Sequence, residues 1–152
     1  MKLLRKYKLL FPISVLFLFS FTISMNNNII EYYQQKKKIN KLLKEIKKKE
    51  KVSVLYFYAD WCRPCRAFNE NLSDDLIKKS IENAVLLKIN VDQDKHSLFK
   101  KYSVTKVPTF IKVNKTGEIL AKITSAKWGY DIPENTAPVL DTLINQTVYD
   151  GK

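Results

Sequence analysis

The 152-residue chain has few of the residues that most often bind metals or cross-link proteins. It contains two cysteines, Cys62 and Cys65, and one histidine, His96. A structural metal site usually needs four ligands, so only a site shared between two chains remains open. No cysteine is available for lipid attachment at the amino-terminal segment. We expect neither a metal nor a cofactor.

The two cysteines lie in the sequence YADWCRPCR at residues 58–66, directly after an apolar run that is typical of a β-strand. A disulfide across so short a loop removes little entropy from the unfolded chain, so it would be a poor stabiliser. The position favours a reactive dithiol, with an inert structural pair as the alternative.

A helix that begins near Cys62 would give this pair its chemistry. The i, i+3 spacing brings both sulfurs to one side of the first turn. Cys62 then faces unpaired N–H groups and the positive end of the helix dipole, which lower the pKa of a thiol. We expect Cys62 to attack and Cys65 to resolve the mixed disulfide. Pro64 suits a first turn, and Arg63 and Arg66 add positive charge.

Hydrophobic periodicity predicts helices and strands in alternation. The predicted elements are a helix with Ile39, Leu42, Leu43 and Ile46 on one face, a strand Val52–Tyr58, a helix over 63–81 with Phe68, Leu72, Leu76 and Ile77 on one side, a strand over 85–91, a short helix over 95–102, a hairpin of 110–113 with 119–123, and a helix over 133–147 with Val139, Leu140, Leu143 and Ile144 facing the core. This order indicates an α/β fold with a single central mixed β-sheet flanked by helices. Some 100 residues suffice for one core only.

Four segments in this order resemble the thioredoxin superfamily. They are VLYFYADWCRPCR at 54–66, LLKINVD at 86–92, YSVTKVPTF at 102–110 and NKTGE at 114–118. The resemblance extends from about residue 36 to about residue 147 and implies the thioredoxin fold. Because FNENLSD follows at 68–74, the chain looks most like periplasmic thiol:disulfide interchange domains of the DsbD type, which pass electrons from membrane reductases.

The resemblance also implies roles for residues around the cysteine pair. The candidate substrate-binding and supporting residues are Trp61, Arg63, Pro64, Val107, Pro108 and Lys88. Pro108 matches the family's cis-proline, whose loop lies against the disulfide and aligns the substrate backbone; a trans-proline at a strand edge is the alternative. Trp61 would shield the sulfurs and offer an apolar platform to partners, unless it is simply buried.

One position departs from the family pattern. Six residues before the first cysteine, many thioredoxins carry a buried aspartate that helps to move the proton of the inner thiol, and here that residue is Tyr56. A buried phenol is neutral at pH 7 and a poorer base. Lys88 stands where the lysine partner of that aspartate usually lies, so we expect it to lack its acidic partner. Either Lys88, water or Asp60 assists proton transfer, or deprotonation of Cys65 is slow; alternatively, Lys88 only extends along the sheet with its amine in water.

The segment SAKWGYDI at 125–132 is longer than the compact family pattern requires. Trp128 and Tyr130 either cover a hydrophobic edge or contact a partner. Packing is the expectation, and no function is assigned to them.

The amino terminus is typical of a secretory signal. Four basic residues come first: Lys2, Arg5, Lys6 and Lys8. The apolar run at 9–23 is short for a membrane span of about 20 residues, and no clear A-x-A cleavage site follows it, so a cleaved signal and a retained anchor both remain open. In either case the rest of the chain is exported, to the periplasm or to the outer side of the cytoplasmic membrane. The sequence divides into a signal or anchor (1–25), a Lys-rich helix and linker (26–51) and a thioredoxin-like domain (52–150).

The net charge of +12 is concentrated in the first third of the chain. Residues 52–152 carry 14 Lys and Arg against 12 Asp and Glu, so the excess precedes them. The lysines from Lys36 to Lys51 either lie against anionic headgroups or form the solvated face of a helix. Nucleic acid is not an expected partner, because the catalytic domain is nearly neutral.

The leading hypothesis is an exported, monomeric thiol–disulfide oxidoreductase that reduces or exchanges disulfides of protein substrates. A membrane thiol reductase would recharge it. Resemblance favours reduction, whereas Arg63 beside the nucleophile would favour oxidation or isomerisation. The alternative is a non-catalytic binding module at the membrane surface that uses the same scaffold and its aromatic residues.

Overall fold

The computed structural model describes residues 28–32, 38–95 and 97–146. The predicted signal segment, Lys36 and His96 lie outside these residues. In chain order the elements are β1 (Ile29–Glu31), α1 (Ile39–Lys48), β2 (Val52–Tyr58), α2 (Arg63–Glu70), α3 (Asp75–Ser80), β3 (Ala84–Asn90), α4 (Leu98–Lys101), β4 (Thr109–Val113), β5 (Ile119–Thr124) and α5 (Pro133–Asn145), with single 3-10 turns at Asn71–Ser73 and Ser125–Lys127.

The strands form one mixed sheet in the order β1-β3-β2-β4-β5. β1, β3 and β2 run parallel, and β4 and β5 are antiparallel to their neighbours. The prediction of a central mixed sheet flanked by helices is confirmed. Within the described ranges, no helix combines the length and apolar content that a membrane span requires.

Each face of the sheet has its own hydrophobic cluster. On one face, α1 packs on β2 and β3 through side chains such as Leu43, Leu55 and Phe57. On the other face, α2, α3 and α5 cover a cluster that includes both cysteines. The dithiol therefore belongs to only one of the two layers.

The helical pattern of α1 predicted its packing correctly. All four of its periodic apolar residues are buried: Ile39, Leu42, Leu43 and Ile46. Because its intervening side chains are mostly lysines, this helix is stabilised by packing of one face.

The continuous helix predicted over residues 63–81 is wrong. The chain forms α2, a 3-10 turn and then α3, because the Asp74 side chain accepts a hydrogen bond from the N–H of Leu76 at 2.8 Å and starts a new helix. Leu76, predicted to face the core, is 48% exposed. The short helix predicted over 95–102 contains only the four residues of α4.

β1 was not predicted from the sequence. Its three residues lie within the segment that we assigned to a helix and linker. They pair with β3 in the register Ile29↔Leu86 to Glu31↔Lys88, so this strand brings an acidic residue beside Lys88.

Candidate active site

The cysteine pair lies at the junction of β2 and α2. Cys62 is the N-cap of α2 and is extended, with φ −78° and ψ 113°. Its sulfur accepts a hydrogen bond from the N–H of Cys65 at 3.3 Å, and the two residues form a disulfide with a Cα–Cα distance of 5.2 Å. Cys62 is 4% exposed and Cys65 is fully buried. The predicted position of Cys62 at the start of a helix is therefore confirmed.

The surroundings of Cys62 favour negative charge on its sulfur. The first N–H groups of a helix have no partner within the helix, and here one of them points at the sulfur. Arg63 and Arg66 are exposed on the first turn, and Arg66 donates to the carbonyl oxygen of Asp60 at 3.1 Å. Pro64 is the second residue of α2, where a proline leaves no hydrogen bond unmade.

Trp61 is an exposed aromatic platform next to Cys62. It is 67% exposed, which excludes the alternative of a buried tryptophan. Its indole Nε1 donates to Asp92 Oδ2 at 2.9 Å. Asn90 supports this contact, because its side-chain oxygen accepts from the N–H of Asp92 at 2.9 Å and its amide nitrogen donates to Asp60 at 3.0 Å.

Val107 and Pro108 lie at the same end of the sheet as the disulfide. Thr109, which follows them, pairs with Phe57 near the end of β2. The peptide bond between Val107 and Pro108 is cis, and Pro108 is buried while Val107 is half-buried.

Tyr56 lies in the same cluster as the cysteines and is fully buried. Its hydroxyl donates to the carbonyl oxygen of Cys65 at 3.3 Å, and its ring stacks on Phe110 with centroids 4.5 Å apart. Burial is the main cause that raises the pKa of Tyr56 above its usual range, and the nearby Tyr58 and Glu31 raise this pKa further. Tyr56 therefore remains a neutral hydrogen-bond donor.

The expectation that Lys88 lacks an acidic partner is wrong. Its Nζ lies 2.6 Å from Glu31 Oε1, and the side chain of Lys88 is only 10% exposed. Tyr58 donates its hydroxyl to the other carboxylate oxygen of Glu31 at 3.1 Å, and Lys88 Nζ lies 4.9 Å from the centroid of the Tyr58 ring. The carboxylate thus comes from β1 and not from the position of Tyr56.

Glu31 and Asp92 were not predicted as residues of this site. Asp92 could have been found, because it follows β3 and the carboxyl ends of adjacent parallel strands meet at one edge of a sheet. Glu31 gave no such signal, since its strand was not predicted.

Trp128 and Tyr130 have different environments. Trp128 is 7% exposed, packs edge-on against Phe110 and donates its indole N–H to Asp131 at 3.0 Å. The expected packing role is confirmed for Trp128, whereas Tyr130 is 80% exposed. Among the residues that the structure describes, no group of three or more His, Cys, Asp or Glu side chains is arranged to hold a metal ion.

The chain matches the family model described as Thioredoxin over residues 26–136. It is 36% identical to Thioredoxin H4 of Arabidopsis thaliana over 84 residues, which cover 55% of this chain and 68% of that protein. It is 38% identical to Thioredoxin-T of Drosophila melanogaster over 71 residues, which cover 47% of this chain and 43% of that protein. The chain thus spans about two thirds of the first relative's length and less than half of the second's.

Two solved structures have similar folds. The Deadhead thioredoxin of Drosophila melanogaster gives a TM-score of 0.50 at 29% identity, with 69% of this chain and 93% of that chain covered. A disulphide isomerase from Xylella fastidiosa gives a TM-score of 0.56 at 20% identity, with 67% of this chain and 85% of that chain covered. The second likeness concerns the fold alone.

Proposed function

This chain belongs to the thioredoxin family and is a thiol–disulfide oxidoreductase, and from this we propose that it reduces disulfides of exported proteins. The observation that supports the proposal best is the hydrogen bond from the Cys65 N–H to the Cys62 sulfur at the start of α2. A sulfur in this position is stabilised as the thiolate, which is the attacking species.

The reaction proceeds by two thiol–disulfide exchanges. The Cys62 thiolate attacks one sulfur of the substrate disulfide, that bond breaks, and the departing substrate thiolate takes a proton from solvent. Cys65 then loses its proton and attacks the Cys62 sulfur, which releases the second substrate thiol. Two electrons pass to the substrate, and the protein is left with the Cys62–Cys65 disulfide.

The residues around the pair have proposed roles in binding the substrate. Trp61 offers an apolar face to the segment that flanks the substrate cysteine, and its bond to Asp92 fixes the ring. In this proposal, Val107 and Pro108 contact the substrate segment on the side opposite Trp61. Lys88 acts only through its contacts with Glu31 and Tyr58, so it is a positioning residue in this proposal.

We place this activity outside the cytoplasm, with a membrane thiol reductase as electron donor and the domain acting as a monomer. The basic residues before the apolar run at 9–23 support export. Protease treatment of intact cells, with and without permeabilisation of the outer membrane, tests on which side of the cytoplasmic membrane the domain lies. Protection of the domain in opened cells that retain an intact cytoplasmic membrane would contradict export.

Insulin reduction tests the catalytic proposal. We expect Cys62→Ser to abolish turnover. Cys65→Ser should accumulate a mixed disulfide between Cys62 and the substrate, because the resolving thiol is gone. Ser73→Ala, an exposed change of similar size, is the control and should keep wild-type turnover. Equal turnover of Cys62→Ser and wild type would contradict the proposed enzymatic activity and favour the alternative of a non-catalytic binding module.

A further inference from the structure

The end of the domain opposite the disulfide is defined by the parallel strands. β1, β2 and β3 are parallel. Val52 and Ala84 lie opposite each other at this end, and Ile29 lies two residues further along, opposite Leu86. The disulfide follows the other end of β2. Since β2 has seven residues, the two ends lie about 20 Å apart.

Lysines are concentrated at the starting end. They lie in the last turn of α1 and just after it, near the end of α3, and in the turn between β4 and β5. We call this end the basic pole, defined by Lys47, Lys48, Lys49, Lys51, Lys79 and Lys115. Among the described residues, the acidic side chains at this pole are Glu50, Glu82 and Glu118. Six positive charges against three negative ones leave the pole cationic.

The described chain also begins at the basic pole. The side-chain amide of Asn28 donates to the carbonyl oxygens of Ile81 and Glu82 at 3.3 and 3.2 Å, and its own carbonyl accepts from the N–H of Leu86 at 2.6 Å. The apolar run of the sequence ends at Ile23, five residues before Asn28. Five residues reach at most about 18 Å, so a run retained in a membrane would keep the pole within that distance of the surface.

We propose that the basic pole binds the anionic headgroups of the membrane and orients the disulfide away from it. The proposal depends on the proposed export and requires the segment at 9–23 to be retained. Lysines near an anionic surface are attracted to it within about one Debye length, roughly 8 Å at physiological salt. A bilayer is the occupant that the short connection brings to this end, whereas a soluble acidic protein has no such link. Trp61 and the disulfide then face soluble substrates.

Lysine labelling of the full-length chain in vesicles tests this orientation. The vesicles contain phosphatidylcholine alone or with about one third phosphatidylglycerol, and a membrane-impermeant acylating reagent is read out by peptide mass spectrometry. We expect Lys47, Lys48 and Lys49 to react about fivefold more slowly on anionic vesicles, and the difference to vanish in high salt. Three exposed lysines at the disulfide end serve as references and should react equally on both: Lys95, Lys106 and Lys127.

Matched variants separate the pole from net charge. The triple change of Lys47, Lys48 and Lys49 to Gln should abolish the effect of phosphatidylglycerol on labelling of Lys79 and Lys115. The same change at Lys95, Lys106 and Lys127 should leave it intact. Equal labelling of the pole on both vesicle types, protection of the reference lysines, or failure of the chain to associate with vesicles overturns the proposal. Insulin reduction by the same vesicles reads the redox activity separately, so loss of turnover with a protected pole would contradict only the reductase.

Discussion

Tyr56 shows how burial determines the chemistry of one residue next to the disulfide. Its ring packs against both Phe110 and Phe68, and burial raises the pKa of Tyr56 above its usual value. The folded protein therefore keeps this hydroxyl neutral at a pH at which the unfolded chain ionises it. The stability that follows is fully present below about pH 10 and decreases as the pH rises above that value.

Tyr56→Phe should weaken this dependence on pH. At neutral pH we expect it to cost about 0.5–1.5 kcal/mol, because the carbonyl of Cys65 loses a donor. Above about pH 10, the free energy of unfolding of wild type should decrease by up to about 1.4 kcal/mol per pH unit more than that of the variant. Urea unfolding as a function of pH measures both effects. Tyr130→Phe, at an 80% exposed position, should behave like wild type, and parallel profiles of Tyr56→Phe and wild type would contradict the argument.

β1 is a very short element that carries an important contact. It has three residues, and the last of them, Glu31, pairs with Lys88 and accepts from Tyr58. Without this carboxylate the poorly exposed ammonium group of Lys88 would lose its charged partner. The ion pair therefore contributes to holding the strand at the edge of the sheet.

A double-mutant cycle of Glu31→Gln and Lys88→Met tests this contribution. We expect Glu31→Gln alone to reduce the free energy of unfolding by about 1–3 kcal/mol. The coupling energy between the two changes should be about 1 kcal/mol. The exposed pair of Asp75 and Lys78, 3.1 Å apart, is the matched control, and its coupling should stay below about 0.5 kcal/mol. Additive effects at Glu31 and Lys88 would show that the pair does not stabilise β1.

The break between α2 and α3 should depend on the Asp74 side chain. Asp74→Ala removes the acceptor for the N–H of Leu76 and should cost about 1 kcal/mol of stability. Asp75→Ala is the neighbouring control. The Asp75 side chain is 98% exposed and pairs with Lys78, so we expect Asp75→Ala to lose about 0.5 kcal/mol of stability or less. Denaturant unfolding of both variants measures the difference, and equal losses would mean that Asp74 is not the cap.

Elements with long apolar patterns were predictable, and short or capped ones were not. Val52–Tyr58 was predicted with its observed bounds, since a seven-residue run that is nearly all apolar and rich in β-formers leaves little ambiguity. The prediction of one continuous helix over 63–81 was wrong because hydrophobic periodicity does not reveal that Asp74 starts a new helix. β1 was not predicted because three residues are too few to show the alternation of polar and apolar residues that is typical of a strand.

In the candidate site, too, the residues close together in the sequence were predictable, and those brought together by strand pairing were not. Cys62, Cys65 and Trp61 could be placed from the sequence because they are adjacent and start a helix. The partner of Lys88 could not, because Glu31 is 57 residues earlier and is brought close only by strand pairing. Contacts between distant strands depend on register, which the local pattern does not contain.

The sheet divides the molecule into a layer that contains the disulfide and a layer that does not. Leu43, fully buried, belongs to the layer of α1. Phe68 belongs to the layer of the cysteines and packs edge-on against Tyr56, with ring centroids 5.1 Å apart. Loss of packing in the first layer should affect stability only, whereas loss in the second should also disturb the support of Cys65.

Leu43→Ala and Phe68→Ala test this separation between the layers. Each should reduce stability, Leu43→Ala by about 2–5 kcal/mol and Phe68→Ala by about 3–5 kcal/mol. Insulin turnover per folded molecule, measured at a temperature at which circular dichroism shows both to be folded, should stay near wild type in Leu43→Ala. It should decrease in Phe68→Ala, since α2 and Tyr56 lose a shared contact beneath the disulfide. Phe68→Leu, which retains more of the volume, should recover most of the turnover. An equal loss of turnover in Leu43→Ala would show that the central sheet transmits packing defects to the disulfide.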